Sequence, residues 1–577
     1  MRTLLALLLV VSIPSLPAQT PIFDLHGATS SDRFGSAVAE IGDLDQDGIP
    51  DFAVGAWMAN SNGGESGEVR IYSGRHGGLI RLIEGADGDR FGYAVAGAGD
   101  VNADGYPDLI VGAHRDRAGV GTWAGSAWVW SGAALVGAAG PVHQSTSAPE
   151  LLYRLRGDNQ YHYFGVTVAG VGDLNGDGYD DVIVGANRNN SNSNRKGYVR
   201  VFSGVDGSSM AYMAGDGNND KFGDSVTRLD DLDGDGVSEV AVGAAESTGG
   251  TAFSQGYVRV FSGATLVLGS TPLELATIHG DSTGDYMHLA TQLDDLDNDG
   301  IGEVLFCASQ QAVSAGGYAK VIYGASIVAG TPVVRDTITG TGTDVDFGHR
   351  AANIGDQDGD GVEDFIVSAR QGGPTGDGEV VCYSGMSTAI IEIMTPTFHE
   401  SFGSALVGGF DINLDGRGDW IVGAPNSDEN GTNSGSIRVY SGADLIAAQS
   451  TTMGSPCSAV QLSLTTPLLA TNPMAPPPIT AAVTNAPAGS VGYLYFSVLP
   501  SAGIPIGNCL LHLNPLTMVP VGSLVTDLLG AWSFTTTMPS VPTATGSHLY
   551  LQAVIFPAGS FPGTLELTNG VDLRLGY

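Results

Sequence analysis

Basic residues are scarce in this chain: 24 Lys and Arg stand against 61 Asp and Glu in 577 residues, a formal net charge of −37. Such a composition cannot neutralise phosphate in quantity, so nucleic acid is excluded as a partner and cations are favoured. Cysteine is rarer still, four in all, too few for a disulfide scaffold. The eleven histidines are scattered, with no H-E-x-x-H and no Cys/His cluster of zinc spacing, so a catalytic zinc centre has no donor set. No stretch keeps a helical period over three turns.

Long apolar runs are absent too, except at the start, so no transmembrane segment is expected. Met1 and Arg2 precede "LLALLLVVSI" and then "PSLPAQT". A charged start, an apolar middle and a small residue at Ala18 read as a secretory signal over residues 1–18, and the expected location is extracellular or at the cell surface.

Glycine is in excess, 85 residues, roughly twice the usual share. A repeat accounts for it. The stretch "GDLDQDGIPD" places Asp43, Asp45, Asp47 and Asp51 at positions 1, 3, 5 and 9 of an acidic loop. The same frame recurs with Asp100, Asn102, Asp104 and Asp108; with Asp173, Asn175, Asp177 and Asp181; and with Asp231, Asp233, Asp235 and Glu239. Three more copies carry Asp295, Asp297, Asp299 and Glu303; Asp356, Asp358, Asp360 and Asp364; and Asp411, Asn413, Asp415 and Asp419. Seven copies spaced 55 to 73 residues apart match the length of a four-stranded propeller blade with its loops.

Each unit has the same order: a Phe-Gly pair, an alternating strand A such as "YAVAGAG", the acidic loop, strand B such as "DLIVGA", a polar connection, strand C ending in "YSG" or "WSG", and an apolar strand D. One such sheet cannot bury both faces, whereas seven arranged radially can. The expected fold is all-β: a seven-bladed β-propeller over residues 19–443, with a C-terminal β-sandwich-like module. "PIFDLHG" near residues 21–27 matches strand D but precedes the first full unit, so it is expected to complete the last blade.

Phe34-Gly35 with Gly55-Ala56, Phe91-Gly92 with Gly112-Ala113, and Phe402-Gly403 with Gly423-Ala424-Pro425 resemble the FG-GAP repeats of integrin alpha-subunit propellers and their bacterial relatives. The resemblance covers residues 21–442. It departs in blade 5, where Tyr286-Met287 stands for Phe-Gly and Cys307-Ala308 for Gly-Ala, and in blade 6, where Ser368-Ala369 stands for Gly-Ala; these blades are expected to be less regular.

In D-x-[DN]-x-D-G-x-x-[DE], side-chain oxygens at positions 1, 3, 5 and 9 and a backbone carbonyl at 7 suit Ca2+ better than the stricter Mg2+. An EF-hand would continue to a Glu at position 12; here Val54, Val111 or Val184 stands there within a strand, so the loop is read as a β-hairpin calcium site. The FG-GAP resemblance implies the same. Up to seven structural calcium ions are expected. At a calcium level about tenfold above the dissociation constant, each adds about 1.4 kcal/mol, or about 10 kcal/mol together.

Two motifs tempt a sharper reading. Gly280-Asp281-Ser282-Thr283-Gly284 matches G-x-S-x-G but falls in a D-to-A connection without the strand-turn-helix a nucleophile elbow needs. Arg417-Gly418-Asp419 spells an integrin-recognition tripeptide, but Asp419 is position 9 of the seventh acidic loop. No catalytic residue is assigned.

Antiparallel pairing puts the A–B acidic loops and C–D turns on one face of the disc, and the B–C and D–A loops on the other. The B–C loops are long, polar and unlike one another, the expected place for recognition. In integrin-like propellers, too, the ligand face is the one away from the calcium loops. Trp57, Trp123, Arg115 and Arg188 are candidate ligand residues, as aromatic platforms and donors for sugars or acidic groups, against the plainer reading of loop packing. Residues 133–160, between blades 2 and 3, extend this surface or lengthen a turn.

Residues 444–454 read as a linker, and residues 455–577 carry three acids and one arginine among Pro/Gly turns and short alternating strands. "GSHLYLQAVIF" and "LTNGVDLRLGY" resemble endings of modules on large secreted bacterial repeat proteins. Cys457 and Cys509 are expected to form its disulfide, whereas Cys307 and Cys382 fall on strands B and C of blades 5 and 6 as small buried packers. The function expected is a secreted calcium-binding module for an extracellular protein or glycan. A carbohydrate-active enzyme with acids in a face cleft, or a structural cell-envelope protein, are the alternatives.

Overall fold

Strand B of every repeat is an apolar run of five to eight residues with no polar alternation, such as Asp51–Ala56, and its first five or six residues are buried throughout. A strand buried on both faces must lie inside a stack of sheets. A computed structural model of the chain describes residues 21–442, apart from 118, 120, 138–139, 189–195, 218–219, 246–254, 310–315, 341–344, 374 and 397–399, together with the backbone of strand segments between 450 and 574. Among the described residues the propeller is seven antiparallel sheets, each in the order A-B-C-D. Blade 1 runs Ala37–Gly42, Asp51–Ala56, Glu68–Tyr72 and Leu79–Glu84. The core lies between blades: Ala53, Val69 and Ile83 of blade 1 pack with Phe91, Leu109 and Val111 of blade 2.

The recurrent dipeptides are the points where neighbouring blades touch through their backbones. A Cβ added to Gly55 would sit 2.1 Å from the carbonyl oxygen of Gly92 in the next blade; Gly112 meets Gly165 O at 2.0 Å and Gly423 meets Gly35 O at 2.1 Å. Only glycine permits that approach. The partner glycines have left-handed φ, 83° at Gly35 and 80° at Gly92, which lets the buried Phe beside each turn back to bridge the preceding blade, as Phe91 does to Gly67 and Phe34 to Gly435.

Blade 5 corrects the expected alignment by one residue. Met287, not Tyr286, holds the Phe position: it is buried, bridges Gly256 and pairs with Ala308. Tyr286 has the left-handed φ of the residue that precedes each Phe. In blade 2, Gly92 and Tyr93 bulge out between the Phe91 and Ala94 pairs; in blade 5, His288 alone lies between the Met287 and Leu289 pairs. The shorter bulge needs no left-handed glycine, so a histidine fits. Blade 6 keeps the usual register, with Phe347 opposite Ala369 and the Ser368 hydroxyl accepting the Arg350 N–H.

The ring closes as expected: Phe23–His26 pairs with Ser436–Tyr440 as strand D of blade 7. Arg438 binds both Glu400 oxygens at 2.7 and 3.0 Å and reaches Glu429 at 3.2 Å, while His26 binds Glu429 at 2.9 Å. Much of the scarce basic charge is spent at this level of the other blades as well. Arg70, Arg154, Arg200, Arg259 and Lys320 each pair with an acid and lie over an aromatic ring.

Most of residues 133–160 lie between strands C and D of blade 2 and not between blades 2 and 3; only 157–160 lead on to blade 3. They join its strand C (Ser126–Trp130) to its strand D (Leu151–Arg156) through a one-and-a-half-turn helix, Gly132–Gly137. Val142–His143 then adds a parallel fifth strand to the outer edge of blade 1. Buried Arg81 of blade 1 donates to the carbonyls of Leu135 (2.6 Å) and Gly140 (2.7 Å), so the segment is a strap across two blades.

Beyond residue 442 the strands are antiparallel as well: Ser450–Met453 pairs with Gly570–Arg574, and Pro478–Thr484 lies between Gln461–Thr465 and Trp532–Thr537. The Cys457–Cys509 pairing and the signal segment fall outside the residues whose side chains are described. Cys307 and Cys382 are free and buried, as expected.

Gly55→Ala and Gly112→Ala should each destabilise the protein by about 2–3 kcal/mol through forced backbone movement. Gly137→Ala, with open space around it, should change stability by less than about 0.5 kcal/mol. Urea denaturation of the calcium-loaded protein checks both.

Candidate functional site

The seven acidic loops share one hydrogen-bond scheme. Asp43 accepts the N–H groups of Asp47 (2.9 Å) and Gly48 (2.8 Å), and Asp47 accepts that of Ile49 (3.0 Å). The position-6 glycines have φ of 85–93°, whereas position 4 tolerates Gln46, Ala103, Asn298 or Leu414 at 55–62°. Four loops bring carboxylate oxygens within 4.8 Å of one another: Asp43/Asp45/Asp51, Asp231/Asp233/Asp235/Glu239, Asp295/Asp297/Asp299 and Asp356/Asp358/Asp360. The other three replace the position-3 acid with Asn102, Asn175 or Asn413, whose amide oxygen accepts the position-5 N–H.

Position 9 also ties the blade together. Asp51 accepts Leu44 N–H at 2.9 Å through one oxygen and Gly74 N–H, in the C–D turn, at 3.0 Å through the other. Asp108, Asp181, Asp364 and Asp419 repeat this stitch. In blades 4 and 5, Asp230 and Asp294 stand where most blades have glycine, the second bulge of strand A is missing, and the longer Glu239 and Glu303 reach Leu232 and Leu296. Their second oxygens, and one of Asp45, are buried without a hydrogen-bond partner. Such orphaned anionic oxygens beside other carboxylates fit a hard cation.

Burial, the largest cause, pushes Asp51, Asp181 and Asp364 up to about 6, Asp108 and Glu303 to about 7, and Glu239 and Asp419 to about 8.

On the opposite face, all four expected ligand residues belong to one assembly. Trp57 meets Tyr93 edge-on (5.8 Å), Tyr93 packs on His114 (4.0 Å), His114 meets Tyr163 (5.8 Å), and Tyr163 meets Trp123 (6.0 Å). Arg90 lies over Trp57, Arg188 over Tyr163 and Arg115 over Trp123, at 4.4–4.9 Å. Burial and the three guanidinium groups lower His114 to about 3, so it is a neutral ring in the stack.

Beside this ladder a cavity of about 570 Å³ opens at the propeller axis. Ser36, Tyr93, Val166 and Asp224 line it from the first four blades, and His288, His349 and Ser404 from the last three. These are the residues carried inward by each Phe-Gly bulge, a positional signal that residue-type reasoning passed over. Blade 6 adds Arg350 and Arg370; Arg370 pairs with Asp346 at 2.9 Å.

A family model described as FG-GAP repeat matches residues 91–130, 164–202 and 402–440, the A-to-C spans of blades 2, 3 and 7. These are FG-GAP repeats. Integrin alpha-V of Gallus gallus is 50% identical over 103 residues, 16% of this chain and 10% of that protein. Integrin alpha-5 of Xenopus laevis is 42% identical over 105 residues, 16% and 10%, and integrin alpha pat-2 of Caenorhabditis elegans 32% over 226 residues, 36% and 17%. The chain therefore spans about a tenth to a sixth of the length of these relatives. Among solved structures, BBS1N in complex with ARL6DN, soaked with lead, aligns over 74% of this chain and 97% of that chain at 9% identity and a TM-score of 0.42.

The propeller absorbs both tempting motifs into its framework. Arg417 donates to the carbonyls of Asp356 (2.8 Å) and Gln357 (2.7 Å) in the neighbouring loop, and Asp419 is buried with both oxygens in the stitch. Ser282 opens a turn capped by Asp285, as Thr29 does with Asp32 and Gly217 with Asp220.

The raised position-9 carboxylates hold protons more tightly folded than unfolded, where they titrate near 4. Their contribution to stability in chelator is therefore lost as pH rises through about 6 to 8. Buried neutral His114, His288 and His349, held below their ordinary range chiefly by burial, act oppositely below about 6.5. In chelator the melting temperature should rise as pH falls from 8 through about 6, since seven carboxylates with raised values outweigh three lowered histidines; calcium at pH 8 should restore it. A flat profile that calcium does not move would refute the loop assignment.

Proposed function

We propose that this chain is an extracellular binding or adhesion module: a calcium-braced FG-GAP propeller that takes a protein or glycan ligand on the face away from its acidic loops. One observation carries the reading. The ladder of half-buried aromatic rings and arginines, with Tyr93 exposed, adjoins a cavity on that face, so groups able to recognise a ligand are concentrated where the scaffold is rigid. The integrin alpha similarity supports the same kind of role.

Calcium is structural in this reading, held by positions 1, 3, 5 and 9, with the orphaned oxygens of Asp45, Glu239 and Glu303 as support. Secretion is supported by the signal-like start over residues 1–18, and no helix among the described residues is long and apolar enough to cross a membrane. The segment after residue 454, with its antiparallel strands, is assigned to attachment or spacing as a small sandwich, with Cys457 and Cys509 as its disulfide.

An enzymatic reading would need a pair of carboxylates on the ligand face. Asp89 and Asp116 form one, and burial with Asp116 beside it pushes Asp89 up to about 7. Asp116, however, is buried and bound to Arg154 and Ser126 at the outer strands, away from the axial cavity. That pair serves the framework.

The test is an array of extracellular glycans and proteins probed with the calcium-loaded protein, alongside an assay for released sugar. Trp57→Ala or Arg188→Ala should weaken captured binding at least tenfold, while Asp206→Ala on the opposite face leaves it unchanged. Sugar release, or binding indifferent to the first two substitutions, would reject the reading.

A further inference from the structure

Blade 6 breaks the repeat at one position and flanks the break with two more nitrogen-bearing side chains. At the third residue after Phe, where strand A faces the axis, the other blades with the full bulge have Ala37, Ala94, Thr167, Ser225 and Ala405; blade 6 has Arg350. His349 precedes it, and Arg370 occupies the position that follows Gly-Ala elsewhere. A guanidinium among small side chains in an axial channel forfeits solvation that an alanine would not. Departures from a repeat's own rules at such a position are where function is expected.

The charge around the cavity is also unusual for this chain. Arg350 and Arg370 lie with Asp224 and Asp346 in its lining, a concentration of basic side chains in a protein of net charge −37. Arg370 and Asp346 bind each other, and Asp224 accepts from Asn187 at 2.8 Å. Arg350 donates to the carbonyl of His349 at 2.8 Å, and no carboxylate lies within ion-pair distance of it among the described residues. The cavity thus offers one guanidinium that no carboxylate binds directly among the described residues, with Asp224 and Asp346 acting on it from a distance.

We infer that the axial cavity binds a single acidic sugar residue at the end of a glycan, its carboxylate on Arg350 and its ring against Tyr93. The inference rests on the binding-module reading and names its ligand class. A lone carboxylate fills a small part of about 570 Å³, whereas one to three sugar units fit it. Tyr93 is 36% exposed and is held from behind by His114, which leaves it as a platform for a pyranose face. His288 Nδ1 lies 2.8 Å from the Tyr286 carbonyl. Donating there leaves Nε2 as an acceptor for a sugar hydroxyl, with the Asp224 carboxylate, which also lines the cavity, as a second acceptor. A polyuronate is disfavoured because the surrounding negative charge repels every further carboxylate.

The experiment is titration calorimetry of the calcium-loaded full chain with methyl β-D-glucuronide and, separately, methyl β-D-glucoside, in 150 mM salt. The uronide should bind at least tenfold more tightly than the glucoside. Arg350→Met should abolish that difference, and Arg350→Lys should reduce it if the first variant melts early; Arg228→Met, on the acidic-loop face, should leave it intact. Equal affinities, or neither sugar binding while a protein partner is captured through Trp57 and Arg188, would overturn the inference and leave the binding module standing. Capture of no glycan and no protein would overturn both.

Discussion

The structure depends on one close approach, made in five of the seven blades: the strand-B glycine against the carbonyl of the residue that follows the Phe position in the next blade. An added Cβ would lie about 2 Å from that carbonyl at Gly55, Gly112 and Gly423, so the space admits hydrogen and nothing larger. From that contact follow the left-handed glycine, the bulge in strand A, and the inward placement of the residue after it. The motif is thus a joint rather than a signature. Whatever varies at the channel mouth does so on a framework whose spacing is set by two peptide groups in contact.

Much of this was legible in the sequence because a repeat samples the same physics seven times. Loop spacing and strand alternation predicted the blades, and an orphan strand at residues 21–27 predicted the closure that Phe23–His26 makes with Ser436–Tyr440. Blade 5 was misaligned by one residue because Tyr286 looks like a Phe by type, whereas register depends on which residue takes the left-handed turn. The strap was misplaced because a three-way junction of helix, parallel strand and buried Arg81 has no local pattern.

The candidate site was legible in part. Trp57, Trp123, Arg115 and Arg188 stand out by type alone and prove to be neighbours, but the rings that join them, Tyr93, His114 and Tyr163, are not among the candidates that residue type selects. Arg350 sits inside an alternating strand, where a single charged residue looks like an exposed face. Its place emerges only when each blade is aligned on its own Phe, which shows that the other full bulges keep that site small. The double duty of position 9, as anionic oxygen and as stitch to the C–D turn, depends on tertiary contacts that no spacing rule contains.

The closing strand has a meaning for the order of synthesis. The carbonyl of Gly27 receives the side chain of Asn430 across 403 residues, so the strand Phe23–His26 waits through six blades for its partner. Six blades can stack as they emerge, but the seventh cannot be completed until Ser436–Tyr440 has been made. A nascent protein therefore exposes an unpaired strand edge at each end of a growing arc. Such edges invite pairing with the wrong partner, and the ion pairs of Arg438 with Glu400 and of His26 with Glu429 sit where the two ends must recognise each other.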